Sequence, residues 1–170
     1  YLRESRDFSI QRLQLNHFGQ ANNSLYYKLT AGILESMFSG IGGEALYKPF
    51  DKNFALGLEV WDARQRNYNQ LLGHQDYKTI TGHLTYYYLA PNSKILFKIK
   101  GGRYLAKDSG ITFDVSRVFN NGVKIGSFFT RTDISAREFG EGSFDKGFYF
   151  YVPVDLFSKR YFKRNFGWGL

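Results

Sequence analysis

The most constraining feature of the sequence is a two-residue period of apolar side chains. Apolar residues occupy every second position of residues 54–60, 95–99, 111–115 and 148–154. Successive side chains of a β-strand point to opposite faces of a sheet, whereas an amphipathic helix has a period of about 3.6 residues. Because the same period recurs along most of the chain, the sequence predicts an all-β fold.

Nine alternating segments are separated by turns, so the sequence predicts nine strands. They are residues 6–17, 24–34, 41–49, 53–63, 76–89, 94–104, 110–119, 123–133 and 146–157. Apolar positions change phase within the first segment, which predicts a β-bulge near Gln11. Charged residues such as Glu59, Lys98 and Lys100 fall on the face opposite the apolar residues. Each predicted strand therefore has one polar and one apolar face.

Short and longer connections alternate along the chain, which assigns them to opposite rims of a meander. The short ones are residues 20–23, 50–52, 91–93 and 120–122, and the longer ones are 35–40, 64–75, 105–109 and 134–145. Two-faced strands of about ten residues, with short turns at one rim and longer loops at the other, are typical of bacterial outer-membrane barrels. The predicted fold is an antiparallel up-and-down transmembrane β-barrel, surrounded by outer-membrane lipid of a Gram-negative bacterium.

The number of predicted strands indicates a larger barrel. A bacterial barrel with both termini in the periplasm has an even number of strands, and nine is odd. We therefore expect residues 1–157 to be one segment of a barrel that takes further strands from before Tyr1 or from another chain. Residues 158–170 carry four basic and four aromatic side chains. They predict a periplasmic tail that anchors at the membrane interface or docks on a partner.

Composition and charge narrow the classes of function without selecting one. The chain has no cysteine, which excludes disulfides and thiolate metal sites. Its formal net charge of +8 suits nucleic acid, anionic lipid headgroups or an acidic polysaccharide equally well. Basic residues are expected beside a membrane rim, so those of the terminal segment do not predict a nucleic-acid partner.

Motifs for catalysis and cofactor binding do not occur in the sequence. There is no P-loop, GxGxxG, GxSxG or HExxH pattern, and the three histidines lack metal-ligand spacing. His83 has no serine at a matching position of its strand, as a hydrolase would need. Ion pairs explain Glu44 with Glu59, and Glu141 with Asp145, better than acid/base catalysis of glycan cleavage does. We expect no enzyme activity, cofactor or metal, and an outer-membrane lipid or glycan hydrolase is the least favoured alternative.

Aromatic and charged residues of the polar face and the longer loops have the chemistry that binds glycans. Tyrosine rings pack against sugars, and charged groups exchange hydrogen bonds with sugar hydroxyls. The predicted lumen or glycan contacts are Arg64, Arg66, Tyr68, Tyr77, His83, Arg103, Tyr104, Glu141 and Asp145.

Residues 139–147 form a glycine-rich loop that leads directly into the last predicted strand. Its three glycines allow backbone conformations closed to other residues, and the loop also carries acidic, basic and aromatic side chains. Folded toward the lumen, the loop would bring its charges near Arg131. The loop predicts a structural latch that positions the last strand, formed by Phe139, Gly140, Gly142, Phe144, Lys146 and Gly147, with a direct glycan contact as the alternative.

Five blocks of sequence together resemble one protein family. They are residues 42–50 (GGEALYKPF), 64–68 (RQRNY), 76–77 (DY) with 81–83 (TGH), 102–106 (GRYLA) and 139–147 (FGEGSFDKG). In order and spacing, over roughly residues 30–157, they resemble the C-terminal part of the YjbH family of outer-membrane proteins, which includes GfcD-like capsule proteins. The family usually continues to a tryptophan-rich end, whereas this chain stops at Gly167-Trp168-Gly169-Leu170.

The resemblance implies a non-enzymatic role in secretion or assembly of exopolysaccharide or capsule, within a larger protein that has barrel strands before this segment. It brings no catalytic residues with it. The alternative is a structural barrel that anchors an envelope complex and docks on periplasmic or outer-membrane proteins.

Overall fold

The computed structural model of the 170-residue chain describes residues 9–133 and 144–153, and the backbone of residues 165–169. The described residues form ten strands and no helix. The strands are β1 (Leu13–Asn22), β2 (Leu25–Ile33), β3 (Phe38–Tyr47), β4 (Phe54–Arg66), β5 (His74–Ala90), β6 (Ile95–Arg103), β7 (Ser109–Val118), β8 (Lys124–Thr132), β9 (Phe144–Pro153) and β10 (Asn165–Gly169). The predicted all-β class is confirmed.

Each strand pairs antiparallel with the next strand along the chain, so the ten strands form one meander sheet in sequence order. The predicted up-and-down arrangement is thereby confirmed. Among the residues that the structure describes, no pairing joins β1 to β10. The sheet is therefore not closed into a barrel within this part of the chain.

The two faces of the sheet differ in polarity as the alternation predicts. Leu58, Leu84 and Ile99, on three neighbouring strands, are between 42% and 59% exposed on one face, which we call the apolar face. Most of the buried residues in the described ranges are polar instead, namely Thr30, Arg66, Gln70, Thr79, Thr81, His83, Thr85, Asp114 and Ser116. Water-soluble domains bury their large apolar side chains, so this distribution is inverted.

The first strand begins later than predicted. β1 is Leu13–Asn22 rather than residues 6–17, and its register is irregular between Gln20 and Asn22 rather than near Gln11. Pairing with β2 places Leu13 and Leu15 on the apolar face, where they are exposed. The change of phase in the sequence therefore coincides with the start of the strand, and the predicted bulge is wrong.

The prediction that residues 158–170 form a tail beyond the sheet is wrong in part. Residues Asn165–Gly169 pair with β9 as β10, with Trp168 opposite Phe150. Phe166 and Trp168 keep the two-residue period, but glycines and preceding basic residues mask it in the sequence. The described residues form ten strands, which is an even number. The inference of strands before Tyr1, which rested on an odd number, therefore loses its support.

Loop length separates the two rims less clearly than predicted. Residues 23–24, 48–53, 91–94 and 119–123 connect strands at one rim, here called the turn rim. Residues 34–37, 67–73, 104–108 and 133–143 connect them at the other, the loop rim. The contrast is small for most connections, and residues 154–164 add a long one at the turn rim.

Arg66, at the end of β4, holds the connections of the loop rim together by hydrogen bonds. Only 1% of this residue is exposed. Its guanidinium donates hydrogen bonds to the main-chain carbonyls of Ile10, Glu35, Ser36, Gln70 and Leu71. These carbonyls belong to the segment before β1 and to the β2–β3 and β4–β5 connections. A single side chain therefore joins three segments that are distant in sequence.

Replacement of Arg66 tests how much these hydrogen bonds stabilise the fold. Arg66→Met removes the guanidinium donor from five carbonyls, of which that of Gln70 keeps the Ile10 N–H as a donor. We expect the free energy of unfolding to fall by at least about 3 kcal/mol. Arg64→Met is the matched control, because Arg64 is exposed and its Nε donates to the Gln75 carbonyl at 3.2 Å. Urea unfolding followed by tryptophan emission measures both variants, and equal losses would contradict the role given to Arg66.

Candidate functional site

A cavity of about 950 Å³ lies on the polar face of the sheet. Its lining comprises Arg12, Gln14, Lys28, Thr30, Leu34, Glu35, Phe38, Glu44, Trp61, Ala63, Gln65, Tyr77, Thr81, His83, Tyr104, Leu105, Ala106, Asp108, Thr130, Thr132 and Asp145. Gln14 is in β1 and Asp145 is in β9, strands that lie far apart in the sheet order. Since both line one cavity, the sheet curves around it.

Charged residues of the polar face are paired across neighbouring strands. Lys28 Nζ is 2.6 Å from Glu44 Oε1, and the β2–β3 register sets these residues opposite each other. Glu59 Oε1 lies 2.8 Å from His83 Nδ1, its partner across β4 and β5, and 2.7 Å from Lys100 Nζ. Each of these two glutamates therefore has its own cation, as predicted, although the β3–β4 register also sets Glu44 opposite Glu59. The absence of acid/base catalysis stays a prediction.

A third carboxylate, that of Asp114, is held farther along the sheet. The hydroxyl of Tyr149 donates to its two oxygens at 3.0 and 2.9 Å, and Lys98 Nζ lies 3.9 Å from Oδ2. Asp114 is buried. A buried carboxylate requires hydrogen bonds and a counter-charge, and β6 and β9 supply both.

Trp61 lies in the cavity wall because its partner in β3 is a glycine. Gly42 faces Trp61 across β3 and β4, and a Cβ at Gly42 would lie 2.3 Å from the indole. Lys28 Nζ is 5.8 Å from the centre of the ring. The absent side chain at Gly42 thus makes room for an aromatic surface in the cavity.

Tyr104 is positioned by contacts on both sides of its ring. The ring edge packs against His83 with centroids 4.7 Å apart. Its hydroxyl lies 2.7 Å from Thr112 Oγ1, which lies 2.8 Å from Thr130 Oγ1. In the adjoining turn, Tyr77 donates a 2.6 Å hydrogen bond to the Leu105 carbonyl. At the loop-rim end of the cavity, packed aromatic rings and hydrogen-bonded hydroxyls therefore hold one another in place.

The structure brings together four of the nine predicted contacts. Tyr77, His83, Tyr104 and Asp145 line the cavity. Their positions agree with the prediction that the polar face carries these groups, while contact with a glycan stays a prediction.

The remaining predicted contacts lie elsewhere. Arg64, Tyr68 and Arg103 are exposed and do not belong to the cavity lining. Arg103 has the strand parity of Phe97 and Ile99, which places it on the apolar side of β6. Arg66 is committed to main-chain carbonyls, and Glu141 lies outside the described residues. Alternation separates Arg103 from the cavity residues, whereas Arg64, Arg66 and Tyr68 lie at or beyond the irregular end of β4, where alternation does not decide the face.

Part of the predicted latch is described. Phe144, Lys146 and Gly147 are in β9, where Phe144 pairs with Arg131 and Gly147 with Phe128. Lys146 Nζ lies 5.7 Å from the centre of the Phe144 ring. Phe139, Gly140 and Gly142 lie outside the described residues, so the latch itself stays a prediction.

Two features of the cavity were not predicted from the sequence: Trp61 and the Thr112–Thr130 hydroxyl pair. Trp61 has the same strand parity as Glu59, so alternation places it on the polar face. The two threonines are partners across β7 and β8. Asp108 lies in the β6–β7 turn, outside the strands, so alternation does not assign it to a face.

The described part of the chain contains no helix that is long and apolar enough to cross a membrane. Within the same residues, no group of three or more His, Cys, Asp or Glu side chains is arranged to hold a metal ion.

Comparison with known proteins identifies the family. The family model described as exopolysaccharide biosynthesis protein YbjH, of the YjbH family, matches residues 1–170. The chain belongs to the YjbH family. A YjbH relative, the uncharacterized lipoprotein YjbH of Escherichia coli strain K12, is 40% identical over 156 residues. The resemblance predicted from the five sequence blocks is confirmed.

The match to the E. coli YjbH protein covers 89% of this chain but only 22% of the relative. The chain thus spans about a fifth of the length of that protein. No solved structure matches the YjbH-family chain described here.

Substitution of Gly42 tests the packing of Trp61. In a Trp168→Phe background, which leaves Trp61 as the only tryptophan, Gly42→Ala should displace the indole and shift its emission maximum. Gly43→Ala is the matched control, because a Cβ there would meet a side-chain methyl of Leu29 at 3.2 Å on the other face. An unchanged emission spectrum in Gly42→Ala would contradict the packing described.

Proposed function

We propose that the chain is a segment of an outer-membrane β-barrel that helps an exopolysaccharide to be secreted or assembled, without itself catalysing a reaction. The observation that carries the proposal is the inverted distribution of side chains on the sheet, with apolar residues exposed and polar residues buried. One face exposes large apolar side chains along its length, and the other lines a cavity that carries paired charges, hydroxyls and aromatic rings. Membership of a family described by exopolysaccharide biosynthesis supplies the substrate class.

Lipid is the environment that suits the apolar face. Leu29, Ile41, Val60, Ile80 and Ile125 are each between 49% and 61% exposed, and they come from five different strands. Monomeric soluble proteins rarely expose contiguous apolar patches larger than a few hundred square ångströms. Acyl chains would cover this surface, while each inner strand is hydrogen-bonded to a neighbouring strand on both sides.

The cavity has the features of a passage for sugars. Its wall combines the rings of Phe38, Trp61, Tyr77 and Tyr104 with hydroxyls and paired charges. Aromatic rings pack against the apolar faces of sugars, and the polar groups satisfy the hydroxyls. Such a wall lets a polymer make many exchangeable contacts.

The edges of the sheet indicate how the barrel is completed. β1 and β10 have only one neighbouring strand each among the described residues. The related E. coli protein is several times longer than the matched region, and its name describes a lipoprotein. We infer that further strands of the same or another chain pair with these edges, and that the protein resides in the cell envelope, at the outer membrane.

Insertion into lipid tests the proposed membrane contact. Leu84 is 59% exposed in the middle of β5, and Leu72 is 69% exposed in the β4–β5 connection. Leu84→Arg should weaken folding into lipid vesicles by about 2–4 kcal/mol, because the charge would lie within the acyl chains. Leu72→Arg should insert like the parent protein. A Leu84→Arg variant that folds as well as Leu72→Arg would count against a transmembrane sheet.

Polymer export tests the proposed passage. In the protein expressed from its own gene, Tyr104→Ala removes a ring from the cavity wall and should lower the amount of extracellular polysaccharide at least about threefold. Arg103→Ala is the neighbouring control on the other side of β6 and should leave export unchanged. Protein amounts in isolated outer membranes must be equal for the comparison. Normal export in a well-inserted Tyr104→Ala variant would oppose the role of the cavity.

A further inference from the structure

Three polar atoms in the cavity wall lack a hydrogen-bond partner among the residues that the structure describes, and one of them, His83 Nδ1, has the Glu59 carboxylate 2.8 Å away. The other two are His83 Nε2, from β5, and Asp108 Oδ1, from the β6–β7 turn. Only 7% of His83 is exposed, and both residues line the same cavity. Buried polar side-chain atoms in folded proteins are nearly always hydrogen-bonded. These two atoms therefore mark a place where the cavity is built to receive a polar ligand.

The turn that carries Asp108 is held against His83 by the backbone. A Cβ at Gly102 would lie 2.0 Å from the Gly82 carbonyl oxygen, so this close approach of β5 and β6 requires glycine. Tyr104 N donates to the Asp108 carbonyl at 2.8 Å, and Lys107 N donates to the Tyr104 carbonyl at 3.1 Å. The two unpartnered atoms thus belong to a pre-organised site with the Tyr104 ring beside it.

The hydrogen-bonding character of His83 follows from its other nitrogen. His83 Nδ1 lies 2.8 Å from Glu59 Oε1, and a carboxylate can only accept. The contact lacks hydrogen-bond geometry, but the negative charge beside Nδ1 favours the proton of the neutral ring on that nitrogen, which leaves Nε2 as an acceptor. Asp108 Oδ1 is an acceptor as well. A ligand at this site must present hydrogen-bond donors, as hydroxyl and ammonium groups do.

Local charge points to the same class of ligand. The cavity lining contains two cations, Arg12 and Lys28, and four carboxylates, Glu35, Glu44, Asp108 and Asp145. Lys28 is already paired with Glu44. Although the chain as a whole has a formal charge of +8, the described lining has an excess of negative charge. A uronate or other acidic sugar would be repelled there.

We propose that His83 and Asp108, beside Tyr104, form a binding site for a non-acidic sugar unit, neutral or amine-bearing. This site deepens the proposed function and rests on it for the class of ligand. The sugar hydroxyls or ammonium group donate to His83 Nε2 and Asp108 Oδ1, and an apolar edge of the sugar packs on the ring of Tyr104.

Binding of three defined probes to the intact protein in detergent micelles tests the site. The probes are cellohexaose, which is neutral, the chitosan hexamer, which carries amines, and the galacturonate hexamer, which is acidic. Isothermal titration at 0.15 M salt should give at least about tenfold tighter binding of the first two than of the galacturonate hexamer. Tighter binding of the acidic probe would overturn the assignment, and so would failure of both other probes to bind folded protein.

Substitutions locate the binding within the cavity. Asp108→Asn replaces an acceptor by a donor and removes the charge, so it should weaken chitosan binding about tenfold. Asp51→Asn is the control for general charge attraction, because the exposed Asp51 lies at the turn rim beside Lys52. His83→Ala should weaken cellohexaose binding, with an unchanged β-sheet circular dichroism spectrum as the check on folding. Equal effects of Asp108→Asn and Asp51→Asn would place binding elsewhere.

Failure of the proposed sugar site can be distinguished from failure of the proposed membrane function. Loss of sugar selectivity with normal insertion of the parent protein into lipid vesicles would remove the site and leave the membrane role standing. Failure of the parent protein to insert would instead remove the proposed function, whichever probe binds.

Discussion

The strand register on the polar face depends on the pairing of opposite charges across neighbouring strands. Glu59 sits between His83 and Lys100, so one carboxylate joins β4, β5 and β6. Removing such groups from water is costly unless each has a partner. A shift of one residue in the β4–β5 register would move Glu59 to the apolar face and Leu58 to the polar one. The ion pairs and the apolar alternation therefore specify the same register, each by a different physical effect.

The class of fold and the polarity of its faces could be predicted from the sequence, because both follow from a period that is visible in the residues themselves. Eight of the predicted segments overlap closely with β2 to β9. The start of β1 and the existence of β10 were not predictable in the same way, since pairing partners rather than local pattern define them. Within the site, alternation identifies wall residues such as His83, but the burial of Arg66 and the position of Asp108 depend on loop conformation.

The loop rim and the cavity are parts of one arrangement. Arg66 binds the carbonyls of Glu35 and Ser36, and the cavity begins at the neighbouring Leu34, Glu35 and Phe38. Arg66, which the sequence predicted to be a ligand contact, thus acts on the cavity through the main chain.

The net charge of the whole chain is a poor guide to the charge of the cavity. Most basic residues of the described ranges lie outside the cavity lining, and that lining carries more carboxylates than cations.

The meander has a consequence for how this architecture changes in size. Each strand contacts its neighbours in sequence, and the substantial contacts between elements are confined to those neighbours. A hairpin can therefore be gained or lost at an edge without rearranging the strands that remain, much as repeats are added to a solenoid. In the proposed barrel, the number of hairpins would set the circumference of the wall, so barrels of different width could follow the same local rules of pairing.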